Sequence, residues 1–141
     1  MEVPVLISIS GTQSFADDRP ETIQLVTQGT YRYEPGYIVL SYSETEMTGL
    51  EGTVTSFTVE ENHTVTLSRV GRVRSTMVFS LGKKDESLYD VGFGALLIGV
   101  EALSLTVLLN EHGGILDLEY ALEIEQTPCG VNSYHIEIRT L

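Results

Sequence analysis

Apolar and polar residues alternate over most of this chain at a period of two, the pattern that puts every second side chain on one face of a β-strand. Val3, Val5, Ile7 and Ile9 alternate with Pro4, Leu6, Ser8 and Ser10 and predict a first strand. Gly11 to Pro20 carries Gly, Asp and Pro and reads as a loop. Ile23, Leu25, Thr27, Gly29 and Tyr31 then share a face, and Pro35-Gly36 turns the chain into Tyr37 to Glu44. Thr45 to Gly52 reads as a loop before a strand from Thr53 to Glu60. Glu61-Asn62 turns into Thr64 to Val70, and Gly71-Arg72 turns into Val73 to Leu81. Gly82 to Glu86 is charged and reads as exposed.

Val91 to Asn110 carries Glu101 as its one charged residue and has the length of a membrane span. A carboxylate near the bilayer centre costs roughly 2–3 kcal/mol or more, and the flanks are Asp90 and Glu111 instead of Lys or Arg. Gly92, Gly94 and Gly99 weaken a helix, and Leu103 to Leu109 alternates. The segment reads as two buried strands joined near Glu101. Asn110 to Gly114 predicts a hairpin turn, followed by Ile115 to Glu125 with Leu116, Leu118, Tyr120, Leu122 and Ile124 inward. Pro128-Cys129-Gly130 reads as the turn into a last strand, Asn132 to Thr140, with Tyr134, Ile136 and Ile138 inward.

About 8–10 short strands linked by hairpin turns, with no helical period, predict one all-β domain over residues 1–141. A long antiparallel meander hides its edges most directly by closing into a barrel.

Composition narrows the function classes. With 8 Lys and Arg against 20 Asp and Glu, the net charge of −12 disfavours a nucleic-acid binder, which needs a basic excess to neutralise phosphates. The single Cys129 excludes an intrachain disulfide framework. The N-terminal Met1-Glu2-Val3-Pro4 has no basic, apolar leader pattern, so cytoplasmic residence is the expectation.

The block Ser41-Tyr42-Ser43-Glu44-Thr45-Glu46-Met47-Thr48-Gly49-Leu50-Glu51-Gly52-Thr53 resembles the core signature of the YwiB-like family of small bacterial proteins. Val65 to Gly71, Met77-Val78-Phe79, Ser87-Leu88-Tyr89, Phe93-Gly94, Gly113-Gly114, Leu118-Glu119-Tyr120 and Asn132-Ser133-Tyr134 follow in the order that the family shows. Val91-Gly92 and Ala102 depart from it, standing where Thr-Pro and Thr are usual. The resemblance implies a calycin-type, lipocalin-like β-barrel in a bacterial protein, and a family of unknown function.

Catalytic patterns are sparse. No Gly-x-Ser-x-Gly elbow is present, and Cys129 has no histidine near in sequence. His63, His112 and His135 lack metal-ligand spacing and read as surface histidines. No catalytic residue, metal or cofactor is therefore expected, and the reading leans away from an enzyme. Alternation through Ile38, Leu40 and Tyr42 carries Glu44 along the inward face to the barrel rim, near Glu46 and Glu51. Paired carboxylates there suit acid–base work, or serve as loop acids that hold backbone amides or an arginine.

Arg69 shares a face with Val65 and Leu67, where an arginine needs a partner. Two readings fit it: a clamp for an anionic head group at the barrel mouth, or a salt bridge to Glu44 or Glu46. Five basic residues, Arg69, Arg72, Arg74, Lys83 and Lys84, crowd one stretch and read as charge balance on the outer wall, or as a patch for an acidic partner.

These readings leave two functions. One is a non-catalytic binding protein that holds a small amphipathic or anionic ligand, with Tyr42, Glu44, Glu46, Thr53, Arg69, Met77 and Tyr89 near the mouth. The other is a structural or interaction module with a filled barrel, acting through its outer surface or a homodimer interface. Neither nucleic acid nor membrane is an expected partner.

Overall fold

A computed structural model describes residues 2–14, 21–46 and 48–141. Ten strands follow one another: β1 (Glu2–Ser14), β2 (Glu21–Glu34), β3 (Tyr37–Ser43), β4 (Val54–Glu60), β5 (Val65–Val70), β6 (Ser75–Phe79), β7 (Lys84–Asp90), β8 (Ala95–Asn110), β9 (Gly113–Ile124) and β10 (Thr127–Thr140). They form one sheet in the order β6-β5-β4-β3-β2-β1-β10-β9-β8-β7, every pair antiparallel. Among the described residues there is no helix, and so none long and apolar enough to cross a membrane.

Consecutive strands are neighbours throughout, and β1 joins β10 in the middle of the sheet, from Val5 opposite Thr140 to Ser14 opposite Val131. The seam lies between β6 and β7. There the backbones of Arg74 and Asp90 exchange two hydrogen bonds of 2.8 Å, and Ser80 bridges Lys83 beside the turn. Between those points a side chain substitutes for the ladder, as Val78 N donates to Asp85 Oδ2 at 3.3 Å. The barrel is nearly closed.

The predicted alternation sets its inside. Val5, Ile7, Leu40, Phe57, Val65, Leu67, Phe79, Val100, Leu116, Leu118, Ile136 and Ile138 are all buried in one cluster. Each such side chain contributes about 1.5–3 kcal/mol on leaving water. Gly29 is required where β2 crosses Ile7. A Cβ there would lie 2.3 Å from the Ser41 carbonyl oxygen and 2.6 Å from Ile7 Cδ1.

Three local readings of the sequence need correction. Gly11 to Ser14 is not loop: it continues β1, paired with β2 and β10, while the rest of that predicted loop, 15–20, lies outside the described residues. The charged stretch Gly82 to Glu86 is largely exposed, as read, and its Lys84 to Glu86 open β7. Val91 to Asn110 is not two strands joined at Glu101. Its strand, β8, is continuous, and the register slips between Ala102 and Ser104 so that Leu103 is extra. That bulge switches the inward set from Ile98, Val100 and Ala102 to Leu105, Val107 and Leu109, which mimics a break. The last turn is Glu125-Gln126, both at positive φ (50° and 66°), and Pro128-Cys129-Gly130 is a second bulge inside β10. Glu125 offsets the cost of that backbone twice over: its N–H donates to Leu97 O at 2.8 Å, and its carboxylate accepts from Leu97 N at 2.9 Å.

Candidate functional site

One end of the barrel is not filled. A cavity of about 380 Å³ opens there. Its wall is apolar where Ile9, Leu25, Met77 and Leu122 face it, and polar where Tyr42, Glu44, Arg69, Tyr120, Asn132 and Tyr134 do. Thr48 and Leu50, from the segment joining β3 to β4, fold over the same end. That segment is held by backbone bonds from Glu44 N to Thr53 O (2.8 Å) and from Thr53 N to Leu50 O (3.1 Å).

Glu44 continues the inward face of β3 and is buried. Thr55 Oγ1 donates to its Oε2 at 2.6 Å, and Thr48 Oγ1 donates to its Oε1 at 3.1 Å. Arg69 stands on the neighbouring wall, opposite Thr55 in the β4–β5 register. Its Nε lies 3.9 Å from Glu44 Oε2, an ion pair beyond hydrogen-bond length. Its Nη2 donates to the Tyr134 hydroxyl at 3.3 Å. Burial works against the charge of Arg69, but Tyr134, with Tyr42 and Tyr89 nearby, outweighs it and leaves the pKa above the ordinary arginine value.

The aromatic residues form a second wall. Tyr120 and Tyr134 stack with centroids 6.2 Å apart, and Phe57 meets Tyr134 edge-on at 5.8 Å. Asn132 Nδ2 donates to the Tyr120 hydroxyl at 3.4 Å. Burial pushes the Tyr42 and Tyr120 phenols well above the usual tyrosine range, so both stay protonated in neutral solution.

Of the residues singled out from the sequence, Tyr42, Glu44, Arg69, Met77 and Tyr89 line this cavity together. Two do not. Thr53 is buried behind the wall, where its hydroxyl accepts from Arg72 N at 3.1 Å and ties the β3–β4 segment to the β5–β6 turn. Glu46 is exposed in that segment, and its carbonyl accepts from Gly49 N at 3.1 Å. From the sequence, Tyr120 and Tyr134 are legible only as inward residues of β9 and β10, and Asn132 only as the start of the last strand. Barrel closure is what sets them across from Arg69.

The other candidates lie apart. Arg72 is 3.7 Å from Glu51 and Lys84 contacts Glu123, so two more of the five crowded basic residues pair with acids on the outer wall. His135 sits on the outer face of β10 between Asp117 and Glu137, and hydrogen bonds to those carboxylates, Asp117 first, raise its pKa. Among the described residues, no group of three or more His, Cys, Asp and Glu side chains is arranged to hold a metal ion.

Fold and site together define a class: an up-and-down β-barrel of ten strands with an internal cavity at one end. A family model described as Domain of unknown function (DUF1934) matches residues 7–138, and the chain belongs to that family. The crystal structure of ywiB protein from Bacillus subtilis is similar, with a TM-score of 0.82 at 22% sequence identity, over 99% of this chain and 93% of that one. At that identity the likeness establishes a common fold, in line with the YwiB-like resemblance of the Ser41–Thr53 block. No curated protein matches the chain.

Proposed function

We propose that this protein binds a small amphipathic or anionic molecule inside its barrel and performs no chemistry on it. The observation that carries this reading is the cavity: about 380 Å³, lined by apolar side chains together with an arginine, a glutamate and four tyrosines. Ligand sites in proteins are commonly concavities of roughly 300–1,000 Å³ with few, convergent polar groups. Acid–base catalysis has less support, because Glu44 already accepts from two threonine hydroxyls and faces Arg69, and Glu46 is elsewhere. The alternative of a filled barrel acting through its outer wall has less support for the same reason as the first reading has more: this end is hollow.

Native mass spectrometry of protein purified from its own host tests the proposal. The expected spectrum contains a species heavier than the chain by one small molecule, lost on denaturation. Leu25→Trp, which fills the cavity, should abolish the added mass while the protein stays folded. A spectrum of bare chain, together with unchanged melting temperatures across a panel of amphipathic anions, would overturn the binding reading.

A further inference from the structure

The polar wall of the cavity is a surplus of hydrogen-bond donors, and that surplus specifies a head group. An arginine side chain has five N–H bonds and no acceptor. Among the described residues Arg69 makes one hydrogen bond, through Nη2 to Tyr134, and its Nε is buried with none. Tyr134 accepts from Arg69 and stacks on Tyr120, whose own hydroxyl accepts from Asn132. With Arg69 donating to its oxygen, the Tyr134 hydroxyl keeps its own proton to give away. Glu44 takes one hydrogen bond on each oxygen, from Thr48 and Thr55, and its Oε2 lies 3.9 Å from Arg69 Nε, too far to satisfy it by a hydrogen bond.

An acceptor with two oxygens and no proton of its own completes such a wall. From this geometry we infer that the molecule in the cavity is a monoanionic carboxylate with an apolar body, bound head first. The inference rests on the binding function proposed above. Charge argues for the fewest negative charges: Arg69 is shared with Glu44 at the same wall, so a monoanion leaves one net negative charge there and a dianion two. Depth sets the direction. Arg69 and Tyr120 are 12% and 4% exposed, whereas Ile23, on the apolar side of the opening, is 60% exposed. The carboxylate reaches Arg69 and Tyr134, and the apolar body lies along Leu25, Leu122 and Ile9 toward the mouth.

Calorimetric titration with decanoate, decyl phosphate, decanol and decylammonium tests this, since the four share a tail and differ in head. Decanoate is expected to bind most tightly. Tyr134→Phe keeps the Arg69–Glu44 pair and should weaken decanoate about tenfold, with decanol unchanged. Arg69→Met should weaken decanoate by about tenfold or more, and its melting curve will show whether the variant is folded. Tighter binding of the phosphate, alcohol or ammonium, or an unchanged decanoate affinity in Tyr134→Phe, would overturn the carboxylate assignment and leave the binding function standing. Binding of none of the four would overturn both.

Discussion

Glu44 and Arg69 face each other across the polar end of the barrel, Nε to Oε2 at 3.9 Å, with side chains 3% and 12% exposed. The pair joins the end of β3 to the end of β5 across β4, and Thr55 of β4 donates to the same carboxylate oxygen. Neither charge has enough water to stand alone, so each is the other's condition for being there.

Removing the cation should therefore be costly. Arg69→Met is expected to destabilise by about 3 kcal/mol in urea unfolding, the lower end for a broken buried pair because Glu44 keeps its two threonine donors. Arg72→Met, in an exposed pair with Glu51, should cost about 0–1 kcal/mol. Glu44→Gln should couple to Arg69→Met in a double-mutant cycle, and Glu46→Gln should add independently. Strict additivity for Glu44 would remove the buried pair from the account.

Gly29→Ala tests the close approach of β2 to β1 and β3. The new methyl would meet a carbonyl oxygen of a paired strand, which can move only by distorting the sheet. A loss of about 1–3 kcal/mol is expected from the midpoint of chemical denaturation. A neutral result would mean that the strands are further apart in solution.

Alkali should unfold the protein through its tyrosines. Burial, with Tyr33 beside it, pushes Tyr31 up to about 12, and its hydroxyl donates to Asn110 O at 2.7 Å. A phenol whose folded pKa lies above its unfolded value of about 10 gives its full stabilisation below pH 10 and loses it as pH rises through the folded value. Unfolding followed by circular dichroism should set in between about pH 10 and 12 and coincide with tyrosinate absorbance at 295 nm. Full ionisation of all the tyrosines at about pH 10 with the fold intact would contradict the burial.

His135 titrates the outer wall instead. Its pKa is raised, so its bonds to Asp117 and Glu137 stabilise below about pH 6.5 and fade as pH rises through the folded value. Imidazole proton shifts in NMR should report a pKa above 6.5, and Asp117→Asn should bring it down. The stability change itself is small at so exposed a site, under about 1 kcal/mol.

Which of these groups the sequence discloses depends on how far their cause reaches along the chain. Tyr42, Glu44 and Arg69 follow from local alternation, because each extends an apolar face of its own strand. Local pattern says nothing about what stands opposite. That Tyr134 receives the Arg69 guanidinium depends on ten strands closing, a relation between β5 and β10 with no trace in either segment. The Leu103 bulge hid the unity of β8 because one extra residue reverses the phase of everything after it. The Glu125-Gln126 turn hid for another reason: neither residue type favours positive φ, and the bonds to Leu97 that offset it come from a different strand.

The pairing of Val5 with Thr140 also sets an order of events at the ribosome. Strands β2 to β6 can pair with neighbours already made, but one edge of β1 has nothing to pair with until β10 has been made. Until β10 is made, β1 keeps one open β-edge, the kind of edge that recruits other chains. The cavity, walled by β3 and β5 on one side and β9 and β10 on the other, has no existence as a container before then. A ligand of the kind proposed would therefore enter only after β10 has joined β1.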